Sequence, residues 1–570
     1  MSNVLQIPIG LNVTARPTIP RQNWVLTPTQ DALFVIFAPL LVLAAALIAF
    51  RKLGAAEATS LIVVAHIVMT VAHHLPTFIR IYGDVDLVKR FKWSFVLGPV
   101  IPLVFSIGVL IYINAHDYPV EYFLYLYIML ALWDPWHFLR QHYGFMRVYD
   151  RANAAPKQLA AKMDLWLCVV WFTHIMLASG AWLPEMLHDL YASTNIPIAL
   201  TVSAAAIGAA AAFTQVAAIV MTLIYGGYLF WCWKKHFYIS AAKLALFLLT
   251  FGVMYLTYTP NEWILSVAPG WTFKVGFAAI GIVHMTQYLA IVWRYNRSLS
   301  ASAERSRAGL FRRWHAKGGW LLGIAYIVVC LFYGEVVTTQ RDNRWLMSVL
   351  LAIGFTSTLM HYYFDGFIWK VRHQQNRDAL AMRDDGASSG EPAKQGSSWW
   401  SAAKQLSPQK MFARQLLYFG VPMTLLTLGA TAAWQTQTNY IHHMYGAQTL
   451  ASRGLNADAA AEARLAYAAM NRQLPFAQKM VELQPTAARE AELAFLLYNQ
   501  SLYEHVVMPQ LAGERASTAH TQSHRDNIEE AITLLAGALR RGDSLTHNGR
   551  EKLTALEAQQ VLASWRRRLE

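Results

Sequence analysis

The segment ATSLIVVAHIVMTVAHHLPTFIR, residues 58–80, decides the fold class. It exceeds the roughly 20 apolar residues that a helix needs to cross a bilayer, and its one formally charged residue, Arg80, stands at its end. Three histidines nevertheless lie inside it: His66, His73 and His74. An ionisable side chain within an apolar span costs free energy unless it is paired or bound. The segment therefore predicts a membrane helix that carries a functional site.

Similar apolar runs recur along the chain and together predict about eleven transmembrane helices. They lie near residues 31–50, 58–80, 94–114, 120–141, 165–185, 213–233, 241–258, 272–294, 319–338, 346–368 and 415–434. The Ala-rich stretch 197–212 would change this count by one if it formed a re-entrant or extra segment. Pro135 should kink or end the fourth helix. We predict an all-α fold, a polytopic membrane helix bundle, with residues 31–434 as its transmembrane domain.

Composition excludes several other classes of protein. Only 14% of the 570 residues are charged, whereas soluble domains average about 25%. The 20 Trp and 26 Tyr residues suit a protein that lines two membrane–water interfaces. The three cysteines all lie in apolar runs, which leaves no disulfide framework and no thiolate zinc site. A soluble enzyme, a disordered protein and a secreted disulfide scaffold are therefore excluded.

The distribution of Lys and Arg predicts the orientation in the membrane. The loops after the fourth, sixth, eighth and tenth predicted helices are rich in basic residues, whereas loops 115–119, 186–196 and 259–271 contain none. Because basic loops stay in the cytoplasm, we expect a cytoplasmic N-terminal segment at 1–30 and a flexible cytoplasmic loop at 373–413. The net charge of +14 then reflects cytoplasmic loops and not nucleic-acid binding. The predicted location is the inner (cytoplasmic) membrane of a bacterium.

Residues 435–570 differ in character from the rest of the chain. Ala, Glu, Arg, Leu and Gln dominate, with helical periodicity in 457–472, 474–484, 486–504 and 526–541. This pattern predicts a small C-terminal helical extramembrane domain on the periplasmic side, where it would bind a protein partner. Leu465–Pro485 resembles a single helical hairpin of the tetratricopeptide repeat (TPR) type.

Histidines inside the predicted spans concentrate on even-numbered helices and near one depth, with His174 as the exception. Most have a polar residue one helical turn away, able to ligate a metal or to orient the imidazole. A site of imidazoles and carboxylates without thiolates suits iron, copper, zinc or manganese, and non-haem iron best fits a hydrophobic substrate. Four histidines would hold one ion, and six with a carboxylate would hold two. The predicted metal ligands are His66, His73, His74, His137, His142, His284, His361, Asp134 and Asp365.

The spacing of some of these histidines resembles that of known membrane oxygenases. The segment His137-Phe138-Leu139-Arg140-Gln141-His142 matches the HxxxxH histidine box of membrane fatty-acid desaturases and hydroxylases, and His73-His74 resembles the paired histidines of their later boxes. Here the pair precedes the HxxxxH segment, and the chain contains no full HxxHH box. Isolated histidines on separate helices are similar to the ligand arrangement of Brp/Blh-type membrane carotenoid-cleaving dioxygenases. Both resemblances imply dioxygen-dependent oxidation of a lipid or another hydrophobic substrate.

For such a site we expect Tyr288 or Tyr363 to relay an electron or a proton. The chain shows no nucleotide-binding or flavin motif, so a separate electron-donor protein would act at the basic cytoplasmic face. Three other functions remain open. Pairs of histidines would serve as axial ligands in a b-type haem or quinone redox protein, although haem needs fewer of them. The histidines would also suit a metal or proton transporter, or have a structural role in an assembly factor.

Overall fold

A computed structural model describes residues 22–83, 88–89, 91–301, 319–339, 341–368, 408–436, 440–513, 521–541, 545–547 and 551–569. Within these ranges almost every element is a helix, and the one sheet is a two-stranded antiparallel hairpin of β1 (Leu545–His547) and β2 (Glu551–Leu553). The all-helical prediction is confirmed for this part of the chain. Of the predicted cytoplasmic loop at 373–413, residues 373–407 lie outside the described residues, and residues 408–413 are the start of a helix, Pro408–Thr436.

The helices of the apolar part carry the following bounds: α1 (Ala38–Leu53), α2 (Ala55–Ala72), α3 (Leu75–Tyr82), α4 (Lys92–Ala115), α5 (Tyr125–Ala131), α6 (Asp134–Tyr149), α7 (Lys157–Ala178), α8 (Trp182–Thr194), α9 (Ala204–Lys234), α10 (Ala241–Tyr258), α11 (Phe273–Ala301), α12 (Trp320–Thr338), α13 (Arg344–Ile368) and α14 (Pro408–Thr436). Nine helical stretches among the described residues are long and apolar enough to cross a membrane, counting α2 and α3 together. A tenth arises if the pair Pro28–Ile36 and α1, bent by 51°, forms one crossing.

Large apolar side chains remain exposed on several of these helices. Phe213 and Leu223 on α9 are 73% and 71% exposed, and Phe332 on α12 is 69% exposed. A water-soluble protein rarely leaves such continuous apolar surface open, whereas a bilayer covers it. The helices and their surface together identify a membrane protein.

The fourth predicted span is not a single helix. Residues 120–141 fall into a short turn at Val120–Leu124, then α5, then α6. The helix breaks at Leu132 and Trp133, just before Pro135 in the first turn of α6. Proline lacks the N–H that would continue the hydrogen bonds of the preceding helix, so it favours a break here. The kink predicted at Pro135 is confirmed. The Ala-rich stretch also has a simple outcome: from Ala204 onward it is the first part of α9 and not a separate segment.

A second break separates α2 from α3. Helix α2 ends at Ala72 and α3 begins at Leu75, with Pro76 in its first turn. His73 and His74 are the two residues between them, with φ of −75° each. Both residues keep right-handed helical dihedral angles, and α2 and α3 together form one candidate span.

Contacts at the two ends of the bundle sort the loops into two groups. At one end, Gln22 bonds to the Tyr149 carbonyl (3.2 Å), the Tyr238 hydroxyl (2.9 Å) and Ser240 (2.8 Å), which joins the N-terminal segment to two basic loops. At the other end, Glu185 of α8 pairs with Lys274 at 2.9 Å, before a loop that lacks basic residues. The grouping agrees with the Lys and Arg distribution. Which end faces the cytoplasm stays a prediction.

Residues 440–569, the C-terminal unit, contain α15 (Tyr440–Ser452), α16 (Asn456–Leu483), α17 (Ala487–Leu502), α18 (Thr521–Arg541) and α19 (Ala555–Leu569) around their own apolar core. The predicted TPR-type hairpin at Leu465–Pro485 is wrong, because α16 runs without a break from Asn456 to Leu483. Pro475 is accommodated inside this helix. Burial of the neighbouring Phe476 and Met480 against the Leu187 region of α8 favours the continuous helix.

Candidate metal centre

Five histidines and one aspartate meet inside the bundle. His73 and His74 come from the α2–α3 break, and the others from α6, α11 and α13: His137, His284, His361 and Asp365. Three groups of potential ligand atoms each lie within 4.8 Å of one another: His73 with His74 and His361, His73 with His137 and His284, and His137 with His361 and Asp365. Four helical segments distant in sequence thus build one cluster, hereafter the histidine centre.

The three groups overlap. His73, His137 and His361 each belong to two groups, whereas His74, His284 and Asp365 each belong to one. No two groups are disjoint, so the residues form a single centre around His73, His137 and His361. With six candidate ligands, such a centre could bind one metal ion, or two metal ions that share ligands between them.

The orientation of the imidazoles points their Nε2 atoms inward. Three Nδ1 atoms are held from outside the centre: that of His73 by the Met69 carbonyl (3.2 Å), that of His74 by the Ser357 hydroxyl (3.3 Å) and that of His361 by the Thr77 hydroxyl (3.0 Å). In metal sites the ligating histidine typically anchors its second ring nitrogen in this way. The Ser357 hydroxyl is fixed in turn by Tyr333 at 2.9 Å.

Several ring nitrogens in the centre lack any hydrogen-bond partner among the described residues. They are Nε2 of His73, Nε2 of His74 and both ring nitrogens of His284, all buried. A buried polar atom without a partner costs about 1–3 kcal/mol. His73 shares one ligand group with His74 and another with His284, and a metal ion in either group would satisfy these nitrogen atoms, so the donor set fits a metal.

The most crowded contact lies between two imidazoles. Nε2 of His361 is 3.2 Å from Nε2 of His137, and Asp365 Oδ2 lies 3.9 Å and 3.7 Å from the same two atoms. The Asp365 carboxylate therefore faces the place where these two nitrogens meet. The side chains of His137 and Asp365 are 11% and 10% exposed, whereas His74 and His361 are fully buried. These two residues mark the accessible side of the centre.

A hydroxyl network surrounds the centre and includes residues that the sequence did not single out. The Tyr288 hydroxyl donates to Asp365 Oδ1 (2.7 Å) and lies 2.6 Å from the Thr77 hydroxyl. Tyr288, predicted as a relay residue, is thus at the centre and buried. Thr77 and Ser357 were missed, although their sequence positions carry a signal. Thr77 follows His73 by four residues and Ser357 precedes His361 by four, which is the helical spacing for a shared face.

Two predicted ligands lie outside the centre. The ring of His66 packs edge-on against Phe277 at a centroid distance of 5.9 Å, beside Gly281. The ring of His142 packs against Phe251 at 5.0 Å, and neither of its nitrogens has a partner in the described structure. His66 and His142 belong to none of the three ligand groups. Their geometry is that of packed aromatic side chains.

Asp134 and Tyr363 also occupy positions other than those expected. Asp134 accepts a hydrogen bond from the Tyr362 hydroxyl at 3.1 Å, and the Tyr362 ring packs on His137 at 5.0 Å. Asp134 therefore contacts the centre through Tyr362 and not as a ligand. Tyr363 lies on another face of α13, where it lines an apolar cleft of about 170 Å³ between α4, α13 and α14.

A second buried polar cluster lies near the end of the bundle that holds the N-terminal segment. Lys243 Nζ is 2.7 Å from Asp150 and 3.2 Å from Asp164, and Arg147 pairs with the same carboxylates at 2.9 Å and 2.5 Å. Tyr225 donates a further hydrogen bond to Asp164 at 2.8 Å. Two cations balance two carboxylates here, so the cluster is neutral and ties α6, α7 and α10 together. No spacing in the sequence pointed to it.

No family model matches this chain, and no curated protein or solved structure is significantly similar to it. Its function must therefore be inferred from the geometry of the centre.

Proposed function

We propose that the protein is a membrane-embedded non-haem iron oxidoreductase that acts with dioxygen on a lipid or another hydrophobic substrate. The observation that carries the proposal is the convergence of five histidines and Asp365, with inward-facing ring nitrogens that lack other partners among the described residues. A substrate dissolved in the bilayer would approach the side of the centre where His137 and Asp365 are partly exposed.

The ligand chemistry supports a transition metal of borderline character. Imidazole and carboxylate donors suit iron, copper, zinc and manganese, and none of the three cysteines belongs to a ligand group among the described residues. One or two iron ions bound there would supply the redox chemistry that activates dioxygen. The same donor set would bind zinc as well, so the choice of iron rests on the substrate environment.

The residues of the chain have separable roles in this proposal. The histidines hold the metal, Asp365 adds a negative charge at the accessible side, and Tyr288 holds a proton against Asp365 Oδ1. The Tyr362 ring packs on His137 and would help to exclude water from the substrate.

The atom balance defines what else the reaction needs. Hydroxylation consumes one O₂, two electrons and two protons and releases one water, whereas desaturation consumes the same reactants and releases two waters. Both need an external electron donor, for which we propose a protein that docks on the basic cytoplasmic face. Cleavage of a polyene by a dioxygenase places both oxygen atoms in the products and needs no net electron supply.

The topology follows from the same proposal. We propose eleven crossings, with the bent pair at residues 28–53 and the broken segment at residues 120–149 as one crossing each. The N-terminus would lie in the cytoplasm of a bacterial cell and the C-terminal unit in the periplasm, where it would bind a partner protein. The contacts that sort the loops into two ends support this arrangement.

The two main alternatives receive less support. A haem needs open space between two axial histidines, whereas His137 and His361 approach to 3.2 Å between their Nε2 atoms. A transporter needs vacant polar ligands along the whole membrane depth. The second polar cluster, around Lys243, offers none, because each of its carboxylates is paired with cations.

The test measures O₂ consumption and lipid oxidation by the full-length protein, reconstituted with iron in bacterial lipid extract and supplied with a chemical reductant. We expect O₂ uptake, together with a lipid product that carries ¹⁸O from ¹⁸O₂ or has lost two hydrogens. His137→Ala and His361→Ala should abolish both, and the matched variant His66→Ala should retain them, since His66 lies outside the ligand groups. If His137→Ala and His361→Ala both retain O₂ uptake, or if the purified protein shows a Soret band, the proposal is refuted.

A further inference from the structure

Thr77 connects two members of the histidine centre through a chain of three hydrogen bonds. Its hydroxyl lies 3.0 Å from His361 Nδ1 and 2.6 Å from the Tyr288 hydroxyl, which donates to Asp365 Oδ1 at 2.7 Å. Thr77 and Tyr288 are both buried, so water does not compete for these bonds. Each end of the chain is a candidate ligand.

With Asp365 ionised, as a metal-ligating carboxylate would be, counting protons fixes the direction of every bond in this chain. A tyrosine hydroxyl has one proton, and that of Tyr288 is used on the Asp365 carboxylate, which can only accept. In the contact between the two hydroxyls, Thr77 must therefore be the donor. Its single proton is then used, so in the remaining contact His361 Nδ1 must carry a proton and donate it to Thr77.

The consequence concerns the other ring nitrogen of His361. A neutral imidazole with a proton on Nδ1 has a lone pair on Nε2, and Nε2 of His361 is the atom that faces His137 and Asp365. Without the directed chain, His361 would be free to adopt the opposite tautomer, with a proton on Nε2 that blocks ligation.

From this geometry we propose that Thr77 is a positioning residue that sets the tautomer of His361 and thereby prepares Nε2 to bind the metal. The inference rests on the proposed metal centre, which it deepens. Thr77 itself is not a ligand. Tyr288 is needed for the same purpose, because it forces the Thr77 proton away from His361.

The experiment measures Zn²⁺ binding to metal-free, full-length protein in detergent, by competition with a chelator. Thr77→Val preserves the shape of the side chain but removes the hydroxyl, and we expect it to weaken binding by about 10–100-fold, as loss of a ligand's anchoring group typically does. Thr77→Ser should bind as the wild-type protein does. Thr358→Val is the matched control, because Thr358 is equally buried on α13 and bonds only to its own helix at Gly354, 2.9 Å away.

A double variant tests the chain as a unit. Since Thr77 and Tyr288 act in series, Thr77→Val with Tyr288→Phe should bind no more weakly than the weaker single variant. ¹⁵N NMR of labelled histidines in the metal-free protein should show His361, assigned from His361→Ala, protonated at Nδ1 in the wild type and shifted in Thr77→Val.

The outcomes separate this inference from the proposed function. Wild-type affinity in Thr77→Val, equal losses in Thr77→Ser and Thr77→Val, or additive losses in the double variant would overturn the role of Thr77 while leaving the metal centre intact. If the wild type binds no Zn²⁺, the proposed centre fails. The tautomer measured by NMR still decides the role of Thr77 in that case.

Discussion

Gly334→Ala should destabilise the protein and loosen the histidine centre. Gly334 lies on α12 where that helix meets α2, and a Cβ atom at this position would lie 2.2 Å from the Val68 carbonyl oxygen and 3.0 Å from the Ala72 side chain. Because a Cβ essentially never approaches another heavy atom closer than 3.0 Å, the helices must separate by at least about 0.8 Å. Overpacking of this kind costs about 1–3 kcal/mol, and the helix propensity of alanine returns about 0.5–1 kcal/mol. The expected net loss is about 0–2.5 kcal/mol, with a central value of about 1 kcal/mol.

The displacement also reaches the centre, because Ala72 directly precedes His73. We therefore expect weaker Zn²⁺ binding together with a lower midpoint in thermal unfolding in detergent. Gly323→Ala on the same helix is the matched control. Its new Cβ would meet only Trp293, at an ordinary 3.7 Å, so it should keep or slightly raise stability. If Gly334→Ala proves as stable as Gly323→Ala with unchanged Zn²⁺ affinity, the close packing of α12 on α2 is refuted.

Two further predictions concern charged groups away from the centre. Lys243→Met leaves Asp150 and Asp164 with one cation between them. This variant should lower the free energy of unfolding by about 3–5 kcal/mol in a denaturant titration, whereas Lys235→Met, at an exposed position, should change it little. Equal effects of the two variants would contradict the buried network. His188 of α8 lies 3.4 Å from Asp189 and 3.7 Å from Glu492 of α17. Burial lowers the pKa of His188, but the interactions with these two carboxylates outweigh burial and raise the pKa above its ordinary value of 6.5. The stabilising contribution of His188 is complete below pH 6.5 and is lost as pH rises through its folded-state pKa. The unfolding midpoint should therefore fall over that pH range in the wild type and fall less in His188→Gln. The exposed control His442→Gln should leave the pH profile unchanged, and the same result for His188→Gln would contradict the ion pair.

The sequence predicts most of the histidine centre, because ionisable residues in apolar spans are rare enough to identify individually. His73, His74, His137, His284, His361 and Asp365 were all predicted and lie together. Depth alone does not say where a side chain lies around a helix. His66 lies seven residues before His73, about 10 Å along the helix axis, and His142 is rotated by about 140° from His137. His66 therefore lies at another depth from His73, and His142 lies on another side of its helix from His137, so neither belongs to the ligand groups.

Other features depend on contacts that no local pattern encodes. Pro135 predicted the break before α6, but the break at His73 and His74 became clear only in the structure, although Pro76 lies beside it. The hydroxyl of Thr77 contacts that of Tyr288, which lies 211 residues away in the sequence, so no local pattern could predict its role. The carboxylates that surround Lys243 come from helices far away in sequence. The hairpin predicted at Leu465–Pro485 is instead one helix, in which Pro475 is accommodated and Phe476 and Met480 pack against the Leu187 region.

The most direct test of the histidine centre is the metal content of the purified full-length protein, measured by elemental mass spectrometry together with an absorption spectrum of the same sample. We expect one or two iron ions per chain and no Soret band, with the iron lost in His137→Ala and His361→Ala and retained in His66→Ala. A well-folded protein that contains no stoichiometric metal, and takes up none when iron or zinc is supplied, would contradict the metal centre.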